Sequence, residues 1–133
     1  MSRYLLDTNT ASYIIKGTFP QIRPHLTRVP MERICVSAVT EGELRYGVAR
    51  NPDAKRLRNV VDEFLLRVWS VPWDSEAARA YGQLRADLEK GGKPIGNLDL
   101  MIAAHALSMG AILVSHDHVF ERIGKLKVVD RAR

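Results

Sequence analysis

Residues 3–12 read RYLLDTNTAS. A short apolar run, Tyr4-Leu5-Leu6, stops on the carboxylate of Asp7, and the small polar residues Thr8, Asn9 and Thr10 follow. A brief run of this kind is consistent with a strand covered on both faces. An acid placed just before a helix-like stretch is well suited to cap that helix. The segment therefore reads as strand, carboxylate, helix, with the helix over Thr8–Lys16 ending at Gly17.

The same order recurs along the chain. Apolar, β-branched runs stand at Ile34–Ser37 and at residues 68–71, 111–115 and 126–129. Helix-like stretches stand between them at residues 39–49, 52–67, 74–90 and 98–109. The second of these would carry Pro52 in its first turn, a position helices tolerate. The third has Asp74 or Ser75 to cap it and Gly91-Gly92 to end it. The last would be capped by Asn97 and ended by Gly110. Strands alternating with helices predict an α/β fold, a three-layer α/β/α sandwich on a mostly parallel central sheet. Ligands of such sheets bind at the carboxyl ends of the strands, where Asp7 and Asp117 both fall.

A length of 133 residues suits one domain, taken as 1–133. Twenty Lys and Arg face fifteen Asp and Glu, giving a net charge of +5, which leans toward an anionic partner without naming one. The lone Cys35 cannot form an intrachain disulfide, which fits a reducing compartment. No leader-like N-terminal segment or apolar membrane-length run is present, so a cytoplasmic protein is expected.

The acids carry the chemistry. Asp7 closes the first strand, Glu43 lies in SAVTEGELRYG, Asp99 in GNLDLMIAAHA and Asp117 in LVSHDHVF. At 100° per residue, Val39, Glu43 and Gly47 share one helix face, while Glu41 and Arg45 form an i,i+4 pair on the other. Glu41 is thus expected in solvent and Glu43 toward the sheet. Asp99 shares a face with Ile102, Ala103 and Ala106, which places it at the core's edge. Each acid has an ordinary explanation when taken alone. Asp7 would cap a helix, Glu43 pair with an Arg, Asp99 answer a helix dipole and Asp117 sit in a turn. Together they require a coincidence at one sheet edge. Clustered carboxylates repel one another and are kept together chiefly to hold a cation. An all-oxygen set suits Mg²⁺ or Mn²⁺ rather than zinc. His116 and His118 are expected as exposed or substrate-facing loop residues, and His105 as an ordinary helix residue.

These four stretches resemble the acidic motifs of PIN-domain ribonucleases, and more narrowly of VapC-type toxins of bacterial type II toxin–antitoxin systems. The resemblance runs from residue 3 to about residue 130. The fourth motif departs from it, with Val119 directly before Phe120 where relatives often carry a longer acidic turn. The resemblance implies that Asp7, Glu43, Asp99 and Asp117 are the metal-binding and catalytic acids, oriented by Thr8 or Asn9 and by Ser115. It implies Mg²⁺- or Mn²⁺-dependent endonucleolytic cleavage of structured RNA, commonly tRNA, with initiator tRNA a candidate. It further implies a homodimer and inhibition by a VapB-type antitoxin. Lys93, Arg45 and Arg50 are the leading candidates for RNA contact. The runs TASYIIKG and VVDEFLLRVW carry the dimer expectation through Tyr13, Ile14, Ile15, Phe64, Leu65 and Leu66.

Rival classes fit less well. A dehalogenase-like phosphotransfer enzyme would want an Asp where Asn9 stands. A receiver domain would want a Lys after the late strand, where His116-Asp117 stands. No Gly-x-Gly-x-x-Gly follows the first strand. An RNA-binding module without activity stays open at this point.

Overall fold

The structure, a computed structural model, describes residues 2–17 and 31–130. Five strands form one all-parallel sheet: β1 (Tyr4–Leu6), β2 (Ile34–Ser37), β3 (Trp69–Val71), β4 (Ile112–Val114) and β5 (Val128–Val129). The helices are α1 (Thr8–Lys16), α2 (Ala38–Ala49), α3 (Lys55–Arg67), α4 (Ser75–Lys90) and α5 (Asn97–Met109). Turns of 3₁₀ helix cover Met31–Arg33 and His118–Arg122.

Side chains of a strand alternate between its faces, so a strand covered on both sides must be apolar at every position. Leu5, Leu6, Cys35 and Val36 are all fully buried, and neighbours in sequence enter different cores. Leu5, Cys35 and Leu113 face α4 and α5, where Leu84, Leu88, Leu100, Ile102 and Phe120 complete one core. Leu6, Val36 and Val114 face the other way, onto Ala11 of α1, Leu44 of α2 and Val61 of α3. The expected three-layer sandwich is the fold observed.

Most element ends agree with the sequence expectation. Gly17 (φ 68°) and Gly110 (φ 64°) end α1 and α5 in the left-handed conformation that glycine tolerates best. Asp74 caps α4 by accepting from the Ala77 N–H at 3.0 Å. Two ends differ. Helix α3 begins at Lys55 and not at Pro52, because Asn51-Pro52-Asp53 closes a β-turn in which the Ala54 N–H donates to the Asn51 carbonyl at 2.9 Å. Helix α5 is preceded by Gly96 and not capped by Asn97. Asn97 is its first residue, and its Oδ1 accepts from the Tyr81 hydroxyl at 3.5 Å. The expected strand at 126–129 shrinks to two residues, because Leu126 N–H is taken by the Ile123 carbonyl at 3.1 Å.

The strand order is β3-β2-β1-β4-β5. The chain steps from β1 to one side and then crosses to the other, so the order reverses between β1 and β4. In open parallel sheets the crevice beyond such a reversal is where ligands bind. Asp7 leaves β1 and Ser115 leaves β4 at this point.

Candidate metal centre at the sheet edge

The carboxylate of Asp7 is 3% exposed and fully engaged. Its Oδ1 accepts from the Thr10 N–H at 2.8 Å, so Asp7 does cap α1. Its Oδ2 accepts from the Ser115 hydroxyl at 2.6 Å, across the β1–β4 crevice. Thr10 in turn donates its hydroxyl to the Val114 carbonyl at 3.1 Å. A buried carboxylate held by two donors is fixed in one orientation. The Ser115 oxygen also accepts from the Asp117 N–H at 3.0 Å, so one hydroxyl sets both acids at this end of β4. Asp117 Oδ1 accepts from the Val119 N–H at 2.9 Å and starts the 3₁₀ turn. The ordinary roles expected for Asp7 and Asp117 are thus real, and they leave both side chains at the crevice.

Glu43 is half-buried on the face of α2 that meets the start of α1. The Thr8 hydroxyl donates to Glu43 Oε1 at 2.6 Å and lies 3.1 Å from the Thr40 hydroxyl. Thr8 has one proton and gives it to Glu43, so Thr40 is the donor to Thr8. Of the two alternatives for this supporting role, Thr8 fills it. Asn9 is exposed and makes none of these bonds. Thr10 and Thr40 were missed in the sequence, where a buried threonine carries no signal of its partner.

Asp99 ties the four together. Its pKa is raised, first by burial and then by the charges of Asp117, Asp7 and Glu43. The charge of each of the three other acids thus opposes its ionisation. Among the described residues no three carboxylates, histidines or cysteines stand close enough together to hold a metal ion by themselves. The donor set is all oxygen, and its excess negative charge around Asp99 is of the sign a divalent cation relieves.

Other sequence expectations divide. Glu41 is not a freely solvated acid. It accepts from the Ser70 hydroxyl at 2.6 Å and from Arg45 Nε at 3.0 Å, which hold its pKa down. It does lie away from Glu43, as the helix face required. Arg45 also reaches Asp62 at 3.4 Å on α3, so its guanidinium is occupied on the side of α2 turned from the site. Lys93 is exposed in the loop before α5 and lines a surface depression with His118 and Arg122. His116 stands within 3.3 Å of the Tyr13 hydroxyl, and His118 pairs with Glu121 at 3.1 Å.

His105 is more than an ordinary helix residue. It is 1% exposed, and its Nδ1 lies 2.8 Å from the Ser37 hydroxyl. Ser37 ends β2 and caps α2 by accepting from the Val39 N–H at 3.1 Å. Burial lowers the His105 pKa and outweighs the opposing pull of the Asp74 charge and of the Pro72 backbone. A neutral ring can accept from the Ser37 hydroxyl at Nδ1 while the Ser37 oxygen accepts from Val39. The link joins α5, which carries Asp99, to the start of α2, which carries Glu43. A histidine with a depressed folded pKa contributes stability that is present above its unfolded pKa of ~6.5 and lost as pH falls from there through the folded value. Replacing His105 with Gln is expected to flatten the decline in melting temperature between about pH 6.5 and pH 5. Parallel slopes for the two proteins over that range would refute a neutral buried ring.

Comparison with known proteins gives the same class. A PIN domain match spans residues 4–126. The chain belongs to the PIN domain family, in its VapC branch. It is 36% identical over 131 residues to the tRNA(fMet)-specific endonuclease VapC of Shigella flexneri, covering 98% of each chain. It is 38% identical to Ribonuclease VapC2 of Haemophilus influenzae, covering 96% of each. Among solved structures it resembles DNA-bound VapBC from Salmonella typhimurium, with TM-score 0.92, 36% identity and coverage of 98% and 99%. VapBC2 from Rickettsia felis, bound to a promoter DNA fragment, gives TM-score 0.89 at 32% identity, covering 96% and 97%.

Proposed function

We propose that this chain is a Mg²⁺- or Mn²⁺-dependent endoribonuclease toxin that cuts structured RNA, with tRNA as the substrate class and initiator tRNA as the leading candidate. The observation that carries the proposal is the set of carboxylates around Asp99 at the strand-order reversal. The Shigella flexneri relative is a tRNA(fMet)-specific endonuclease, which supports the tRNA assignment. Bound divalent metal supplies a water of lowered pKa and charge to offset the scissile phosphate and leaving oxygen. The chain's own part is positioning. Ser115 and Thr10 hold Asp7 rigid, Ser115 sets Asp117, and Thr8 with Thr40 sets Glu43. Asp99 would complete the ligand set.

The partner we propose is a VapB-type antitoxin, on the strength of the VapBC complexes among the structural relatives. No described helix is long and apolar enough to cross a membrane. We propose a cytoplasmic protein, since a tRNA substrate would be met there. We also propose a homodimer. Tyr13, Ile14, Ile15, Phe64 and Leu65 are only partly buried against the core, and Leu66 is 83% exposed on α3. Light scattering at micromolar concentration should give twice the 15.0 kDa chain mass, and a monomer mass would refute the dimer.

The functional test uses purified, antitoxin-free protein with a tRNA panel. Cleavage with Mg²⁺ or Mn²⁺, abolished by EDTA, is expected. Intact tRNA in the presence of metal and well-folded protein would overturn the proposal.

A further inference from the structure

Helix α2 continues past Glu43 with a face that neither core explains. Glu43, Tyr46, Gly47 and Arg50 stand at i, i+3, i+4 and i+7, which places them along one stripe. Tyr46 is 65% exposed, although its ring is large and the helix has a core to bury it in. The Arg50 guanidinium carbon lies over that ring, 5.5 Å from its centroid, within cation–π range. Arg45 on the same helix is consumed by Glu41 and Asp62, whereas among the described residues no carboxylate pairs with Arg50. A Cβ built at Gly42 or Gly47 would meet nothing within 4 Å, so the stripe is open to an approaching chain.

We propose that Tyr46 and Arg50 form a platform for the RNA strand beside the cleavage site, with the Tyr46 ring stacking on a base and Arg50 holding an adjoining phosphate. The proposal rests on the ribonuclease assignment. An exposed aromatic ring and an acid-free guanidinium side by side match the two faces a nucleotide presents, a flat base and a charged backbone. The stripe is continuous with Glu43. Seven residues of helix advance about 10 Å, a distance that a short stretch of strand covers. Such stacking tolerates any base, so this platform would strengthen binding near the cut without choosing the sequence. Selection of a particular RNA would then come from its shape and from other contacts.

The test is fluorescence anisotropy with a fluorescein-labelled anticodon stem-loop RNA, in an Asp99→Asn background with Mg²⁺ so that the RNA is not cut. Tyr46→Ala should weaken binding about 5- to 50-fold, and Tyr46→Trp should retain it. Arg50→Gln should also weaken binding and reduce the slope of log affinity against log salt by about 0.7, the single-strand value for one phosphate contact. Tyr46→Ala should leave that slope unchanged. Unchanged affinity in Tyr46→Ala, or equal losses in Tyr46→Ala and Tyr46→Trp, would overturn the platform. So would conversion of a dimer to a monomer by Tyr46→Ala in light scattering, which would place Tyr46 between two copies of the chain. If the parent with Tyr46 intact fails to bind the RNA while the unmutated protein cleaves tRNA, the platform alone falls; if both fail, the ribonuclease assignment falls with it.

Discussion

Replacing Asp99 with Asn is expected to raise the melting temperature of the metal-free protein at pH 7 while removing its activity. The folded pKa of Asp99 is raised by burial and then by the charges of Asp117, Asp7 and Glu43. A carboxyl whose folded pKa exceeds its unfolded value of ~3.9 contributes stability that is fully present below that value. The contribution is lost as pH rises through the folded pKa. At neutral pH the ionised side chain therefore works against folding, and Asn removes the charge at nearly constant shape. Asp99 is only partly buried, so solvent screens part of the repulsion and the rise should be on the order of 1–3 °C. Below about pH 4 the two proteins should melt nearly together, because Asp99 is then protonated in both states. A lower melting point for Asp99→Asn in EDTA at pH 7 would mean that the side chain serves the start of α5 and not a charge cluster.

The largest effect on activity is expected at Asp7. Asp7→Ala should lower tRNA cleavage by about 10³-fold or more and abolish growth arrest on expression, since both its oxygens are preset by Thr10 and Ser115 for one task. It also strips the cap from α1, a cost of about 1 kcal/mol, which a melting curve reads separately from activity. Glu41→Ala is the matched control. Glu41 lies on the same helix as Glu43 but is bound to Ser70 and Arg45. Its loss should leave cleavage within about threefold of wild type, which is about 0.7 kcal/mol in the barrier. Equal loss of cleavage and toxicity for Glu41→Ala would break the assignment of the two helix faces.

The sheet was legible because its strands are apolar at successive positions and are bounded by acids, glycines or helix starts. Leu5 and Leu6 enter different cores, and only a strand covered on both faces allows that. The four acids were legible for a related reason. Each interrupts or closes an apolar segment, and helical periodicity alone separates Glu43 from Glu41. The start of α3 was not legible, because Pro52 suits both the first turn of a helix and the second position of a β-turn. The Asn51 carbonyl decides for the turn. What holds the acids was mostly hidden. Thr8 meets Glu43 across 35 residues, and Ser115 meets Asp7 across 108. A hydroxyl's partner is set by tertiary packing and leaves no local pattern. The same holds for His105, whose bond to Ser37 spans 68 residues. The pairing of Arg45 with Asp62, which arrives on another helix, was hidden in the same way.

Direct binding of the metal tests the central claim, that Asp7, Glu43, Asp99 and Asp117 form one divalent-cation site. Titrating Mn²⁺ calorimetrically into EDTA-stripped, antitoxin-free protein at pH 7 reads that site without RNA. Wild type should bind saturably, and binding should weaken by about tenfold or more in Asp7→Ala and in Asp99→Asn. Glu41→Ala should bind as wild type does. Failure of folded wild type to bind Mn²⁺, or binding of equal strength in all four proteins, would contradict the account.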